Sequence, residues 1–557
     1  MKRSLFKLLS LFSITTMLLS ACGAMPSILG KQVKISILYG SEKQAWLDPL
    51  ITQYNAENHK TADGSVIVVE GTAIGSIEAI NGIIDGTLQP TVWSPASSVY
   101  IPVANAEWHK THSGDLVTGN PKDLVLSPVV IAMWESMAKA LGWPAKPIGW
   151  ADIAALSTSD QGWATYGFPE WGKFKFGHTH PGFSNSGLVS IIAEAYAGAA
   201  KQRGLTLADL NDPTTSTFMQ NVESSVIHYG SSTGFFADRM FKGGPSYLSA
   251  AVMYENLVVN QESQRLAGTS QQVPVVAIYP KEGTFWANHP YVILNVPWVT
   301  AVQKEAAGAF ETFLLDKPQQ LKAIALGFRP ADPSIPLAAP LDAQHGVDVS
   351  QPKTVLEIPS ADVLNGIQGL WQKVKKPVDV VIVVDTSGSM QGDKINTART
   401  SLVQFIKLLD DRDRAEIILF NTDITPLTDL SEVGPKRQSM LDHVSGIIEG
   451  GNTALYDAVS LAYNDMQTKG DPKHIRSLVV MTDGNDTTSS ASVDTVLATL
   501  NKNSGEGGNA IKLFTIAFGA DADKNVLTRL SDATGGKEYD ATPANILTIY
   551  EDIATFF

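Results

Sequence analysis

Short apolar runs alternate with amphipathic stretches in the last third of the chain. Residues 378–384 are apolar except for Asp379, and residues 478–481 form a second such run. Runs this short and continuous predict strands buried on both faces of a parallel sheet. Apolar residues then return at helical spacing over 395–409. Further strands are predicted at 416–420, 511–518 and 538–539, and further helices at 436–448, at 454–467 and toward residue 557. This alternation predicts a doubly wound α/β domain over residues 377–557.

The same alternation begins near the N-terminus and continues to about residue 330. The pattern predicts strands at 33–39, 66–69, 92–93 and 124–133, and helices around 46–54, before 141–144, from 149–150 and over 188–200. Charged residues make up 18% of the chain and hydrophobic residues 44%, which indicates a globular rather than a disordered protein. The formal net charge of −14 argues against a nucleic-acid partner.

The first apolar run of the C-terminal part ends in the sequence DTSGSM at 385–390. Asp385, Ser387 and Ser389 therefore lie on the loop at the carboxyl end of a buried strand, where open α/β sheets bind ligands. Oxygen-only side chains at alternate positions suit a hard divalent cation, above all Mg²⁺. The alternative is a polar turn in which these side chains cap the following helix.

Two more segments extend this motif. The second apolar run ends in TDG at 482–484, and GGNTALYDAV at 450–459 is a Gly-rich turn that opens a helical pattern. Together the three segments resemble the metal-ion-dependent adhesion site of a von Willebrand factor A domain. The resemblance implies a Rossmann-like fold and a site for Mg²⁺, with Mn²⁺ or Ca²⁺ as substitutes, at which an Asp or Glu of a protein partner binds the ion. The implied metal ligands are Asp385, Ser387, Ser389, Thr453 and Asp483.

Binding rather than catalysis is the function that this motif predicts. Asp385 and Asp483 match the charge of a divalent ion, and the hydroxyl groups add donors without adding charge. No candidate nucleophile or general base lies beside the motif, so we do not expect an enzyme.

The segments HTHPGFSNSG, GGPSYLSAAVMYE, YPKEGTFWANHP and GFRP occur in this order between residues 178 and 330. They and the preceding strand–helix succession resemble the bacterial extracellular solute-binding proteins that serve ABC importers. The resemblance implies two α/β lobes over 33–330 with a small-molecule solute held between them. By analogy, lobe 1 comprises about 33–127 and 275–330, and lobe 2 comprises about 128–274.

The solute cleft of such a fold is lined by turns at strand ends. The nominated ligand-binding residues are Ser41, Ser94, Ser97, Ser127, Ser184, Asn185, Ser186 and Tyr254. Helix capping is the alternative role for the serines and for Asn185. His178 and His180 are predicted to pack a loop, because no third metal ligand lies near them in the sequence. Glu255 is predicted to be structural.

The N-terminus has the pattern of an export signal. Three basic residues precede an apolar stretch at 8–19, which ends in Ser20-Ala21-Cys22-Gly23. Residues 19–22 resemble the bacterial lipobox, which implies a signal peptide at 1–21, acylation of Cys22 and a short tether at 22–32. The protein is then expected on the outer face of the cytoplasmic membrane, or on an outer membrane. An ordinary signal peptide is the alternative. Cys22 is the only cysteine, so no disulfide within the chain is expected.

A connector is predicted between the two regions, over residues 331–376. Five prolines fall within 331–359, which indicates an extended linker rather than a flexible one. After Ser360, a candidate N-cap, an apolar stripe that includes Trp371 predicts a helix that docks the connector onto a neighbouring domain.

Three functions remain open on the sequence. The first is a lipid-anchored binding protein that grips a partner through the metal site and uses the two-lobed part for sensing or scaffolding. The second is the solute receptor of an ABC importer with an accessory C-terminal domain. The third is an exported enzyme with an unrecognised cleft site.

Overall fold

The computed structural model describes residues 31–270, 272–504 and 511–556. The predicted signal peptide, the lipidation site at Cys22 and almost all of the tether lie outside these residues. Within them, the strands form three sheets. None of the helices in these three ranges has the length and apolarity that crossing a bilayer requires.

The region up to residue 330 contains eleven strands and twelve helices among its described residues. The strands are β1 (Gln32–Gly40), β2 (Val66–Ile74), β3 (Val92–Ser94), β4 (Lys122–Asp123), β5 (Val125–Trp134), β6 (Phe176–Gly177), β7 (Ala250–Tyr254), β8 (Val275–Ile278), β9 (Trp286–Ala287), β10 (Pro290–Ile293) and β11 (Arg329–Pro330). The helices are α1 (Gln44–Ala56), α2 (Ser76–Ile84), α3 (Ile101–Trp108), α4 (Glu135–Ala140), α5 (Trp150–Ser157), α6 (Asn185–Gly198), α7 (Leu207–Leu210), α8 (Pro213–Glu223), α9 (Thr233–Gly243), α10 (Glu255–Leu266), α11 (Ala301–Leu315) and α12 (Lys317–Ala325).

The first sheet has the strand order β2-β1-β3-β10-β4. β1 pairs in parallel with β2 and β3, whereas β10 returns from much later in the chain and runs antiparallel to β3 and β4. Alternate residues of β1, such as Ile35 and Ile37, pack with Trp46 and Leu50 of α1 and with Phe310 of α11. Alternate residues of β1 and the residues at helical spacing in α1 are therefore buried in the same apolar layer.

The second sheet is built around β5. One edge of β5 takes β7 and the other takes β8, so that Ile131 is opposite both Val252 and Ile278. β9 and β11 also pair with β5, and β6 pairs with β7. The predicted lobe boundaries stay a prediction, although β8, which was assigned to lobe 1, hydrogen bonds within this second sheet.

The connector leads into helix α13 (Ala361–Val374). Its apolar stripe is buried, and it packs against α6, α7 and α8. The buried stripe consists of Val363, Leu364, Ile367 and Trp371. Ser360 occupies the N-cap position, but its side chain makes no capping hydrogen bond, so the predicted capping bond is absent.

The C-terminal region completes the chain with six strands and six helices in its described part. The strands are β12 (Val378–Asp385), β13 (Arg414–Phe420), β14 (Ile424–Glu432), β15 (Ile475–Thr482), β16 (Lys512–Phe518) and β17 (Lys537–Ala541). The helices are α14 (Asp393–Leu408), α15 (Val433–Ser445), α16 (Leu455–Lys469), α17 (Val493–Ser504), α18 (Lys524–Asp532) and α19 (Ile546–Ala554). Short 3-10 helices occur in the chain at Ser41–Lys43, Ser98–Tyr100, Gly162–Tyr166, Pro169–Trp171, Ala343–His345 and Gly388–Met390.

The third sheet has the order β14-β13-β12-β15-β16-β17. All of its pairs are parallel except β13 with β14. Renumbered within the region, this is the order 3-2-1-4-5-6 of a doubly wound Rossmann-like sheet, which confirms the predicted fold class. Val380 and Ile382 of β12 pack with α14, α15 and α19, and Val381 and Val383 pack with α16, α17 and α18. Helices therefore cover both faces of the sheet.

The N-terminal and C-terminal regions pack against each other. The backbone N–H of Tyr229 donates to the carbonyl of Phe556 at 3.2 Å, and the guanidinium of Arg239 lies 5.3 Å from the centre of the Phe556 ring. Arg239 also donates to the carbonyl of Gly536. These contacts join the C-terminal region to the two-lobed part.

A cleft of about 950 Å³ separates α2 from α19, and Glu78 lines it opposite Glu551. Burial, together with the charges of Asp552 and Glu551, raises the pKa of Glu78 to about 7. Protonated Glu78 therefore stabilises the folded state below pH 4.5, and this contribution is lost as the pH rises through 7.

We expect the free energy of unfolding to fall by about 1–3 kcal/mol between pH 5 and pH 8 through Glu78 alone. Glu78→Gln keeps the neutral shape and should remove this part of the pH dependence. Urea denaturation of both proteins at the two pH values measures the difference. Identical pH slopes for the two proteins would contradict the assignment.

Candidate functional site

The loop after β12 gathers the first three predicted metal ligands. β12 ends at Asp385, which is fully buried, and a 3-10 turn at Gly388–Met390 follows. The backbone N–H of Ser387 donates to Asp385 Oδ1 at 2.7 Å, and the hydroxyl oxygens of Ser387 and Ser389 are 3.0 Å apart. The alternating polar positions of the DTSGSM sequence thus turn toward one another.

The loop after β15 adds the fourth predicted ligand. Ser389 Oγ donates to Oδ1 of the buried Asp483 at 2.7 Å, and Thr482 Oγ1 donates to Asp385 Oδ2 at 2.5 Å. β12 and β15 are the neighbouring strands at which the strand order reverses. Their carboxyl ends therefore form the crevice in which doubly wound sheets bind ligands.

The third loop adjoins the other two through its backbone. The N–H of Gly388 donates to the carbonyl of Gly451 at 3.0 Å, and the N–H of Gly450 donates to the carbonyl of Thr386 at 2.7 Å. Gly451 has a φ of +85°, which favours glycine. Thr453 is 5% exposed and donates its backbone N–H to Thr487 Oγ1 at 3.0 Å. The structure thus brings the three predicted segments to one edge of the sheet.

The electrostatics of this edge favour a cation. Burial raises the pKa of Asp385 and the nearby Asp483 charge adds to the rise, while hydrogen bonds from Ser387 and Thr482 oppose it. The ammonium group of Lys394 lies 2.5 Å from Asp483 Oδ2. An all-oxygen donor set with two buried carboxylates fits Mg²⁺. Thr482 was recognised as part of the TDG segment but was given no role, and Lys394, which follows the DTSGSM segment, was not predicted as a site residue.

Several nominated solute residues meet in a buried polar cluster between the two lobes. Ser41 Oγ lies 2.5 Å from Ser232 Oγ, and Ser184 Oγ lies 3.1 Å from Thr233 Oγ1. The other bonds of the cluster are Asn185 Nδ2 to the Tyr254 hydroxyl at 3.1 Å and Thr233 Oγ1 to Ser186 Oγ at 2.8 Å. All of these side chains are buried. We call Ser41, Ser184, Asn185, Ser186 and Tyr254, with Ser232 and Thr233, the interlobe polar cluster.

The remaining nominated residues have other environments. Ser97 Oγ accepts the N–H of Val99 at 3.2 Å, which is the helix-capping role. Ser127 Oγ donates to Asn256 Oδ1 at 3.1 Å. Ser94 Oγ is buried and has no hydrogen-bond partner among the described residues.

A buried ionic group that was not predicted from the sequence lies beside the interlobe polar cluster. Lys43 Nζ lies 2.9 Å from Glu42 Oε1 and 3.1 Å from His289 Nδ1, and all three side chains are at most 3% exposed. Burial opposes ionisation of Glu42, but Lys43 and His289 hold its pKa at about 2. Burial and the Lys43 charge lower the pKa of His289 to about 4. The adjacent Glu42-Lys43 pair was the only available sequence signal.

The structure also shows the surroundings of Glu255, His178 and His180, whose roles were interpreted from the sequence. Glu255 receives a two-point ion pair from Arg329, at 2.8 and 2.6 Å, which agrees with a structural role. The loop-packing role of His178 stays a prediction, but two carboxylates lie near it in space: Glu223 Oε1 is 3.0 Å from its Nε2, and Glu194 belongs to the same group. His180 instead packs edge-on against Trp371, with ring centres 4.9 Å apart.

Comparison with known families matches both halves of the chain. The model described as bacterial extracellular solute-binding protein matches residues 35–329, and the model described as von Willebrand factor type A domain matches residues 379–548. An uncharacterized protein of Mycobacterium tuberculosis is 24% identical over 507 residues, which cover 87% of this chain and 70% of that protein. Inter-alpha-trypsin inhibitor heavy chain H4 of Homo sapiens is 30% identical over 170 residues, or 29% of this chain and 18% of that protein.

Solved structures resemble the two halves separately. A periplasmic thiamin binding protein covers 62% of this chain and 96% of its own, with a TM-score of 0.44 and 12% identity. A von Willebrand factor type A protein from Catenulispora acidiphila covers 32% of this chain and 42% of its own, with a TM-score of 0.29 and 19% identity.

Proposed function

This chain belongs to the bacterial extracellular solute-binding proteins and also carries a von Willebrand factor type A domain, and from this premise we propose that it is an extracytoplasmic binding protein that grips a protein partner through Mg²⁺. The observation that supports the proposal is the contact of Ser389 with both Ser387 and Asp483. These contacts collect oxygen donors from two loops at the crevice of the sheet. The solute-binding module then serves for sensing or scaffolding.

The residues of the proposed Mg²⁺ site have separate roles. Asp385, Ser387, Ser389, Thr453 and Asp483 would hold the ion. Bound Mg²⁺ supplies a positive centre with an exchangeable water position, which an Asp or Glu of a partner can take. The ammonium group of Lys394 pairs with Asp483 and balances part of its charge.

The proposed location follows from the N-terminal sequence. Acylation of Cys22 would hold the protein at the membrane surface, with the solute-binding region close to the bilayer. The formal net charge of −14 would repel anionic lipid head groups, so the lipid anchor rather than charge would provide attachment.

The test compares Mg²⁺ binding and partner capture in three proteins. Calorimetric titration with Mg²⁺ should give at least a tenfold weaker affinity for Asp385→Ala than for the unaltered protein, an effect of about 1.4 kcal/mol or more. Asp393→Ala removes an exposed carboxylate from the same segment and should bind Mg²⁺ normally. Capture from envelope extracts should require Mg²⁺ and fail with Asp385→Ala. Capture that survives both EDTA and Asp385→Ala would overturn the proposal.

A second candidate function, reception of a small polar solute for an importer, is favoured by polar atoms that lack partners. Ser94 Oγ, Asn185 Oδ1 and His289 Nε2 are buried without hydrogen-bond partners in the described parts of the chain. Such atoms are costly unless a ligand or water satisfies them. A saturable change in tryptophan emission with one solute from a broad panel would support this function, and no change with any of them would count against it.

A further inference from the structure

Three side chains of types that can ligate metal ions meet inside the solute-binding region, outside the three loops of the C-terminal site. His178 follows β6, Glu194 lies within α6, and Glu223 is the last residue of α8. All three are fully buried, and one ligand atom from each lies within 4.8 Å of the others. We propose that His178, Glu194 and Glu223 bind a divalent transition-metal ion of the zinc type.

The imidazole of His178 is oriented as a metal ligand would be. Its Nδ1 lies 2.8 Å from the carbonyl oxygen of Thr179. A carbonyl only accepts hydrogen bonds, so Nδ1 carries the hydrogen. In the neutral imidazole, Nε2 then directs its lone pair toward Glu223 Oε1 at 3.0 Å. That contact needs a positive centre between the two atoms, and a backbone carbonyl bonded to the far nitrogen is the usual support for a ligating histidine.

Glu194 gives independent support for a cation site at this position. Its Oε1 accepts a hydrogen bond from Ser190 at 3.0 Å, but its Oε2 is buried and has no donor within the described ranges. One carboxylate oxygen of Glu194 also lies within 4.8 Å of a carboxylate oxygen of Glu223. Two buried carboxylates at this separation repel each other unless a proton or a metal ion joins them.

The other lone pairs of Glu223 are held by neighbours. The Tyr229 hydroxyl donates to Oε2 at 2.7 Å, and Trp371 Nε1 donates to Oε1 at 3.1 Å. Such outer contacts fix the direction of a ligating carboxylate. Because Trp371 belongs to α13, a bound ion would also fasten the connector helix to the solute-binding region.

Zinc is the ion that this set of donors suits best. Zn²⁺ accepts imidazole nitrogen and carboxylate oxygen together, whereas Mg²⁺ prefers oxygen alone. A neutral imidazole and two carboxylates balance a divalent ion. An imidazolium, one carboxylic acid and one carboxylate would be equally neutral, so the competing explanation is a pair of protons.

Glu194→Gln separates a metal ion from the protons. The amide reproduces the shape and hydrogen bonding of a protonated carboxyl group, but it is a poor metal ligand. All proteins carry Asp385→Ala, so that the Mg²⁺ site does not contribute. Each is unfolded, stripped of metal and refolded with or without Zn²⁺ or Co²⁺. His59→Gln, at a half-exposed histidine of the same region, is the matched control.

We expect about one Zn²⁺ per refolded chain, and a melting temperature several degrees above that of the metal-free protein. Co²⁺ should give a visible absorption band. Glu194→Gln should lose the bound metal, the band and the zinc-dependent rise in melting temperature, while His59→Gln keeps all three. The proposal is overturned if the parent protein refolds without taking up Zn²⁺, or if Glu194→Gln retains it. The result does not depend on the Mg²⁺-dependent function.

Discussion

Replacing Arg329 by methionine is expected to lower the free energy of unfolding by about 3–5 kcal/mol. The Arg329 guanidinium contacts both oxygens of Glu255, whose side chain is fully buried, and donates to the carbonyl of Val349 at 3.1 Å. Without Arg329, the Glu255 carboxylate would be buried without a countercharge. Urea denaturation followed by tryptophan emission measures the loss, because ten of the 11 tryptophans precede residue 299.

Two variants test whether the cost comes from the buried charge. Arg329→Met combined with Glu255→Gln removes both charges and should recover part of the stability that the single change loses. Lys304→Met removes an exposed cation and should change the free energy of unfolding by less than about 0.5 kcal/mol. A loss below about 1 kcal/mol for Arg329→Met would contradict the assigned role of the pair.

The C-terminal fold was predictable because its signals are local. The apolar runs at 378–384 and 478–481 lie within β12 and β15. The polar residues that end each run lie at the carboxyl ends of these strands. Strand β14 was missed. Its sequence, ITPLTDLSE, is half polar and contains a proline, as an antiparallel edge strand permits.

Long-range polar pairing was not predictable from the sequence. Glu255 and Arg329 are 74 residues apart, and Glu223 is 45 residues from His178. Spacing along a helix or strand reports neighbours within a few residues and carries no signal for such pairs. The two carboxylates near His178 therefore could not be found from the sequence.

The serines nominated for the solute cleft show a second limit of prediction from the sequence. Turn chemistry predicted correctly that Ser41, Ser184 and Ser186 lie at the ends of elements, but not that they bond to Ser232 and Thr233. Capping and ligand contact use the same side-chain types at the same positions. The hydrogen-bond partner of each hydroxyl group depends on how the two lobes pack together.

Replacing Trp371 by alanine is expected to cost about 3–5 kcal/mol and to release α13 from the solute-binding region. Trp371 is 1% exposed, and its ring packs edge-on against His180 and Tyr229, with ring centres 4.9 and 5.3 Å away. The substitution leaves a cavity at the point where the connector meets the N-terminal region. Hydrogen exchange of α13, together with urea denaturation, measures the effect.

Trp371→Phe separates the packing of the ring from its hydrogen bond. Phenylalanine keeps most of the apolar contact but loses the N–H that donates to Glu223, and we expect a cost of about 1–3 kcal/mol. Lys373→Ala, on the exposed face of the same helix, should leave hydrogen exchange in α13 almost unchanged. If Trp371→Ala exchanged no faster than Lys373→Ala, the docking of α13 would have to depend on the other residues of its stripe. The larger cost of alanine reflects the joint role of Trp371, which fills the core and supports a buried carboxylate.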